Sequence, residues 1–170
     1  MREFLIISDV HGDRDRLRRI LAACGRVHAV FFLGDGLADV REVLAEQDAP
    51  PPLYAVRGNC DIGLLGEDEL PVSLGSHRIL MLHGHTAGAK LGEGGLLALA
   101  RHNGADIVLY GHTHLRYERY LDKSEGGPLW LFNPGSVGRP FDSPPSFGRL
   151  TVGDRDELLF SFGQITESTP

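Results

Sequence analysis

The sequence predicts a mixed α/β fold in which two β-sheets carry helices on their outer faces. Three observations lead there. Short apolar runs alternate with segments of helical period through residues 1–56, the pattern of parallel βαβ units. From about residue 71 onward, alternating strand-like segments dominate, punctuated by Gly126-Gly127 and Gly153-Asp154. No linker, repeat or low-complexity tract interrupts the chain, so residues 1–165 read as one domain and Thr166–Pro170 as a fraying end.

The elements follow in order. Phe4–Ile7 is short, apolar and rich in β-branched residues, which suits a buried strand. Leu17, Ile20, Leu21 and Cys24 mark one face of a helix that Gly25 can stop. Ala29–Leu33 is the second strand. Val40, Val43 and Leu44 mark a second helix, which Pro50–Pro52 is expected to end. Leu53–Val56 is the third strand. Pro71–Leu74 and Arg78–Leu82 form a hairpin around Gly75-Ser76. A short helix covers Leu96–His102, and Ile107–Tyr110 is another buried strand. Tyr117–Leu121, Leu129–Phe132, Arg149–Val152 and Leu158–Phe162 complete the β-rich end.

Composition narrows the function classes. Hydrophobic residues at 42% and charged residues at 24% are ordinary globular usage, which excludes a disordered, collagen-like or coiled-coil chain. Seventeen Lys+Arg against 23 Asp+Glu give a formal net charge of −6. That balance disfavours a broad nucleic-acid surface. No run approaches the ~18 apolar residues of a membrane span. Phe4–Ile7 comes too early for a signal peptide, and two cysteines make no disulfide framework. A cytoplasmic protein is expected. The apolar strands near the C-terminus could pair with a second copy.

One pattern recurs five times: an apolar strand runs directly into metal-ligand residue types beside glycine. The clusters are Asp9-Val10-His11-Gly12, Gly34-Asp35-Gly36, Gly58-Asn59-Cys60-Asp61, His83-Gly84-His85 and Gly111-His112-Thr113-His114. Open α/β sheets gather ligands at the carboxyl ends of their strands, so side-by-side strands would bring all five to one edge. Asp9/His11 and His112/His114 are i, i+2 pairs, which in extended backbone point the same way and could each clasp one ion. The donors are His, Asp and one Asn, a set for borderline metals such as Mn, Fe, Zn or Ni and a poor one for structural zinc. Asp9, His11, Asp35 and His114 could hold one ion. Asp35, Asn59, His83 and His112 could hold a second, with Asp35 shared. Two divalent cations against the Asp9 and Asp35 carboxylates leave a positive site that invites an anion. Two such metals can activate a bridging hydroxide and hold phosphoryl oxygens, so phosphoester hydrolysis is the expected reaction.

Read in order, these blocks resemble the calcineurin-like metallophosphoesterase superfamily, and Asn133-Pro134-Gly135-Ser136 extends the match. Chain length and the Gly-Asn-Cys-Asp form are similar to the small YfcE-type bacterial and archaeal phosphodiesterase branch. The resemblance implies a four-layer αββα sandwich with two mixed sheets. It implies the same two-metal assignment, with manganese favoured and nickel, iron or zinc as alternatives, and a small phosphoester substrate. Many superfamily members carry His where this chain has Cys60, and a neutral thiol is a weak donor, so leaving-group protonation is in question here. His85 reads as a substrate contact or as a residue behind the ligands, Asp61 as a ligand-orienting carboxylate or a solvated loop residue. Arg139, in the turn-rich Asn133–Pro140 loop, could meet a phosphate. The alternatives to a phosphodiesterase are a phosphomonoesterase and a Vps29-like protein-binding scaffold, since fold alone does not fix function.

Overall fold

Alternation along the first strand already sorts the core. Phe4 and Ile6 face one way and Leu5 and Ile7 the other, and all four are buried. That is the signature of a sheet covered on both sides. The computed structural model describes residues 1–165; the expected fraying end, Thr166–Pro170, lies outside the described residues.

The elements are β1 (Arg2–Ile7), α1 (Arg14–Cys24), β2 (Ala29–Phe32), α2 (Leu37–Ala45), β3 (Leu53–Ala55), β4 (Glu69–Leu74) and β5 (His77–Leu82). They continue with α3 (Gly94–Asn103), β6 (Ile107–Leu109), β7 (Arg116–Leu121), β8 (Leu129–Pro134), β9 (Ser146–Val152) and β10 (Leu158–Gln164). They form two five-stranded mixed sheets, in the orders β10-β9-β1-β2-β3 and β4-β5-β6-β8-β7. In the first, β1, β2 and β3 are parallel, β9 runs against β1, and β10 runs against β9. In the second, β5, β6 and β8 are parallel and flanked by antiparallel β4 and β7. Pro71 is tolerated because β4 is an edge strand.

Three apolar layers hold the stack together. Phe4, Ile6, Phe31, Ile79, Met81 and Phe132 fill the space between the sheets. There Phe132 of the second sheet stacks on Phe160 and Phe162 of the first, at centroid distances of 4.8 and 4.9 Å. Leu17, Ile20 and Leu21 of α1 and Val40, Val43 and Leu44 of α2 cover the outer face of the first sheet. Leu96 and Ala100 of α3 cover the outer face of the second. The result is the αββα sandwich that the family resemblance implied.

One boundary differs. The prolines at 50–52 do not end α2, which stops at Ala45. Its apolar stripe, Leu37-Val40-Val43-Leu44, is exhausted there, and Glu46, Gln47 and Asp48 have nothing to bury. By contrast, Gly25 does end α1 (φ 62°), and the Asp13 carboxylate caps its start by accepting from the Arg16 amide at 3.0 Å.

Candidate metal centre

The parallel strands deliver their carboxyl ends to one edge of the sandwich, where bonds join neighbouring turns within each sheet and then cross between the sheets. The Asp9 amide donates to Gly34 C=O at 2.9 Å and the Gly111 amide to His83 C=O at 3.0 Å. The His112 amide crosses between the sheets to Asp9 Oδ2 at 3.1 Å.

The backbone at this edge is not extended. Asp9, His11, Asp35, His112 and His114 have φ between 47° and 68°; among the described residues only one other non-glycine residue, Asp156, has positive φ. Left-handed backbone costs an L-residue about 1–2 kcal/mol, and its concentration at five candidate ligands marks a site the surrounding structure over-determines. The geometry bears out one i, i+2 pair and corrects the other: Asp9 Oδ1 and His11 Nε2 do converge, at 3.7 Å, though not through extended backbone. His112 and His114 sit in a turn and diverge. His114 Nε2 lies 3.1 Å from Asp9 Oδ1 and 3.3 Å from His11 Nε2. The His112 ring instead faces His83, at a centroid distance of 5.0 Å, and His85, at 6.1 Å.

Two overlapping donor groups result. Asp9, His11 and His114 present atoms within 4.8 Å of one another, and so do Asp9, Asp35 and His83. Asp35 Oδ2 lies between them, 3.7 Å from His11 Nε2 and 3.5 Å from His83 Nε2. Cys60 Sγ joins a third such group with His11 and Asp35. Asn59 is exposed, and its amide donates to Cys60 Sγ at 3.4 Å.

The surroundings fix which atom each ligand offers. His83 Nδ1 lies 2.7 Å from Leu33 C=O and His114 Nδ1 lies 2.5 Å from Arg139 C=O. A carbonyl can only accept, so each Nδ1 carries the proton and each Nε2 lone pair faces the centre. Asp9 Oδ2 accepts from Ser8 Oγ at 2.5 Å and from the His112 amide, which leaves Oδ1 for the centre. Asp35 Oδ1 is held by the Cys60 amide at 2.7 Å.

Asp61 is no solvated loop residue. Its buried carboxylate accepts four backbone N–H groups: Asp35 and Gly58 at Oδ2 (2.9 and 2.8 Å), Gly36 and Leu37 at Oδ1 (2.9 and 2.8 Å). It thereby pins the Asp35 turn and the start of α2. Three partners were not legible as such in the sequence. Ser136 Oγ donates to Asp9 C=O at 2.9 Å, and Asn133 Nδ2 donates to Gly111 C=O at 2.9 Å and Thr113 Oγ1 at 3.1 Å. Asp39 accepts from the Gly12 amide at 3.0 Å and from Arg14 Nε at 2.7 Å. The 133–140 loop is thus a buckle behind the ligands. Arg139 serves it through its main chain, with an exposed side chain. The only sequence signals were the Asn-Pro-Gly-Ser block and the Ser8 that precedes Asp9. Two glycines let the loops close: a Cβ on Gly34 (φ +97°) would come within 2.6 Å of the Gly58 amide and 2.7 Å of His83 Nδ1, and one on Gly111 within 2.9 Å of Asp9 Oδ2.

The electrostatics favour cations. Burial pushes both carboxyls up, but the histidines beside them more than reverse it: Asp9 is held well below the usual carboxylate range by His11, His114 and His83, and Asp35 falls to about 2 beside His83. His112, half-buried and beside His83, drops to about 4. Burial and the nearby Asp35 carboxylate push the Cys60 thiol up to about 11. His85 is lowered by burial and by His83, and its Nδ1 is buried without a hydrogen-bond partner. It lines a cleft of about 390 Å³ beside the centre, with Arg57, Asn59, Ile62 and Asp68. Arg57 there is bound to Asp68 at 2.6 Å.

The residues fit divalent metal. Asp9 Oδ1 and His83 Nε2 are buried, lack any hydrogen-bond partner, and face other oxygen and imidazole donors of the kind such ions take. A two-sheet sandwich with Asp and His donors gathered at one edge defines a metallophosphoesterase, and the chain belongs to the calcineurin-like phosphoesterase superfamily, whose domain matches residues 2–155. Among individual proteins, it is 34% identical to the probable metallophosphoesterase YsnB of Bacillus subtilis over 137 residues, 80% of this chain and 75% of YsnB. It is 32% identical to the phosphodiesterase YfcE of Escherichia coli K12, covering 93% of this chain and 90% of YfcE. The fold is shared with zinc-complexed Vps29 of Entamoeba histolytica at a TM-score of 0.76 and 23% identity, over 98% of this chain and 94% of that one. Among the described residues, no helix is long and apolar enough to cross a membrane.

Proposed function

We propose that this chain is a dinuclear metal-dependent phosphoesterase that hydrolyses small phosphodiesters in the cytoplasm. The observation that carries this reading is the pair of buried, unpartnered donor atoms, Asp9 Oδ1 and His83 Nε2, within a cluster of carboxylates and imidazoles. Asp9, His11, Asp35 and His114 hold one divalent ion; Asp35, Asn59, His83 and His112 hold the second. The position of Asp35 Oδ2 between His11 and His83 supports its shared role. Manganese is the favoured occupant, with nickel, iron or zinc as alternatives. Divalent ions, when bound, supply Lewis acidity toward phosphoryl oxygens and lower the pKa of water.

The chain's own residues keep that chemistry in register. The Leu33 and Arg139 carbonyls hold His83 and His114 in the tautomer that presents Nε2. Ser8 and the His112 amide orient Asp9, and Asp61 anchors the turn that carries Asp35. Cys60 stands where an imidazole would be the stronger proton donor, which favours esters whose alcohol leaves without a strong acid. The preference for diesters is also supported by the likeness to YfcE, which is named a phosphodiesterase.

The test is hydrolysis of bis(4-nitrophenyl) phosphate and 4-nitrophenyl phosphate by chelator-stripped protein reloaded with manganese. Metal-dependent diester turnover is expected. A monoester preference would overturn the substrate class. Absence of both activities in folded, metal-loaded protein would overturn the enzyme reading and favour a Vps29-like scaffold.

A further inference from the structure

Three of the loops that carry the candidate ligands, and the 133–140 loop behind them, lead into large apolar side chains held out in solvent. Ile62 (88% exposed) and Leu65 (89%) follow Asp61, Leu91 (94%) follows His85, Leu115 (39%) follows His114, and Phe141 (81%) follows Arg139. Apart from Met1 at the terminus, every described large apolar residue that is four-fifths or more exposed lies on these loops. Scattered apolar side chains on a surface need no explanation, but a group gathered at one place marks a binding site.

Their placement at the mouth is set by bonds to the ligand turns. The Phe141 amide donates to His114 C=O at 3.2 Å, which brings Phe141 beside Leu115. The Ala89 amide donates to Gly84 C=O at 3.0 Å, which ties the Ala89–Leu91 turn to the glycine between His83 and His85. Ile62 and His85 line the same cleft.

We infer that these side chains form an apolar rim around a cationic centre, and that the substrate is a phosphodiester monoanion with one apolar alkyl or aryl alcohol. The inference rests on the phosphoesterase reading above and names the substrate class for that site. An occupant must satisfy both parts of the mouth: an anion for the metal-loaded centre, and apolar surface for Ile62, Leu91, Leu115 and Phe141. A second copy of this chain, which would bring its own −6 charge, would close the mouth against any substrate. A small amphiphilic diester meets both requirements and leaves the mouth free to turn over.

The experiment measures kcat/KM for a series of 4-nitrophenyl alkyl phosphates, ethyl to octyl, below their micellar concentrations, with the manganese-loaded protein. Partial desolvation of each methylene on an open rim gives about a twofold gain, and so about 60-fold from ethyl to octyl. In the Ile62→Ser/Leu91→Ser/Phe141→Ser variant the octyl-to-ethyl ratio should fall below about 10; circular dichroism checks that it is folded. Calorimetric binding of octyl against ethyl phosphate reads the same preference without turnover. A flat series in both turnover and binding overturns the rim. Turnover of no diester, together with a steep binding series, keeps the rim and overturns the esterase reading. Sedimentation showing a dimer that the triple variant abolishes would assign the rim to self-association, and vesicle binding with a flat alkyl series would assign it to a bilayer; either overturns the small-substrate inference.

Discussion

Replacing Asp61 by asparagine tests whether the ligand turns are held by a single buried carboxylate. Each Asp61 oxygen accepts two backbone amides, at 2.8–2.9 Å. Asparagine keeps one acceptor oxygen and turns an NH2 toward the other two donors. Two buried N–H groups lose their acceptors, at about 1–3 kcal/mol each, for a destabilisation of about 2–6 kcal/mol. A domain of this kind has only about 5–15 kcal/mol in total, so Asp61→Asn should still fold, with a clearly lowered urea midpoint. Because the Asp35 amide is one of the four donors, the variant should also bind divalent metal about 10–100-fold more weakly. Urea titration with and without manganese, and calorimetric titration of the ion, read the two effects separately. A stability loss below about 1 kcal/mol with unchanged metal affinity would refute the argument that this carboxylate organises the site.

Three further outcomes are expected. Gly34→Ala places a Cβ 2.6 Å from the Gly58 amide and 2.7 Å from His83 Nδ1 at φ +97°; it should abolish metal binding by calorimetry and lower stability, whereas Gly12→Ala, also at positive φ but with no atom within 4 Å of its Cβ, should show only the backbone cost. Stripping divalent metal with a chelator should lower the melting temperature and manganese should restore it. At about 100 times Kd one ion contributes about 2.7 kcal/mol, or about 5–10 °C for a chain of this size, and an unchanged melting temperature would contradict the metal fit. His77 bridges Asp106 Oδ2 (2.7 Å) and Asp156 C=O (3.0 Å) at the far end of the sandwich. Burial lowers its pKa but these partners raise it more. Its stabilising contribution is therefore fully present below the ordinary histidine pKa and is lost as pH rises through the elevated one, so the stability gap between wild type and His77→Ala should be larger at pH 5.5 than at pH 8.5 in urea titrations.

Much of this molecule is local in origin and was readable from the chain. Apolar runs ending in Asp, His and Gly specify buried strands that deliver polar residues to their carboxyl ends, and the stripes Leu17-Ile20-Leu21 and Val40-Val43-Leu44 specify which helix faces cover them. The candidate donors followed from residue type and order alone. Two local inferences failed because their physics is not local. Prolines at 50–52 did not set the end of α2, since the helix stops where its apolar surface has no further partner. The i, i+2 pairs did not sit in extended backbone, since the ligands occupy left-handed turns that only surrounding contacts can hold. The tertiary structure alone decided that Asp61 gathers four amides from two stretches of chain, and that Ser136 and Asn133 brace turns over 20 residues away in sequence. It also decided that Ile62 lines a cleft with His85 and that Phe141 is bound to the His114 turn. Sequence sets what each strand end offers; which lone pair faces the centre depends on acceptors and amides from other strands, and those meet only when the two sheets pack.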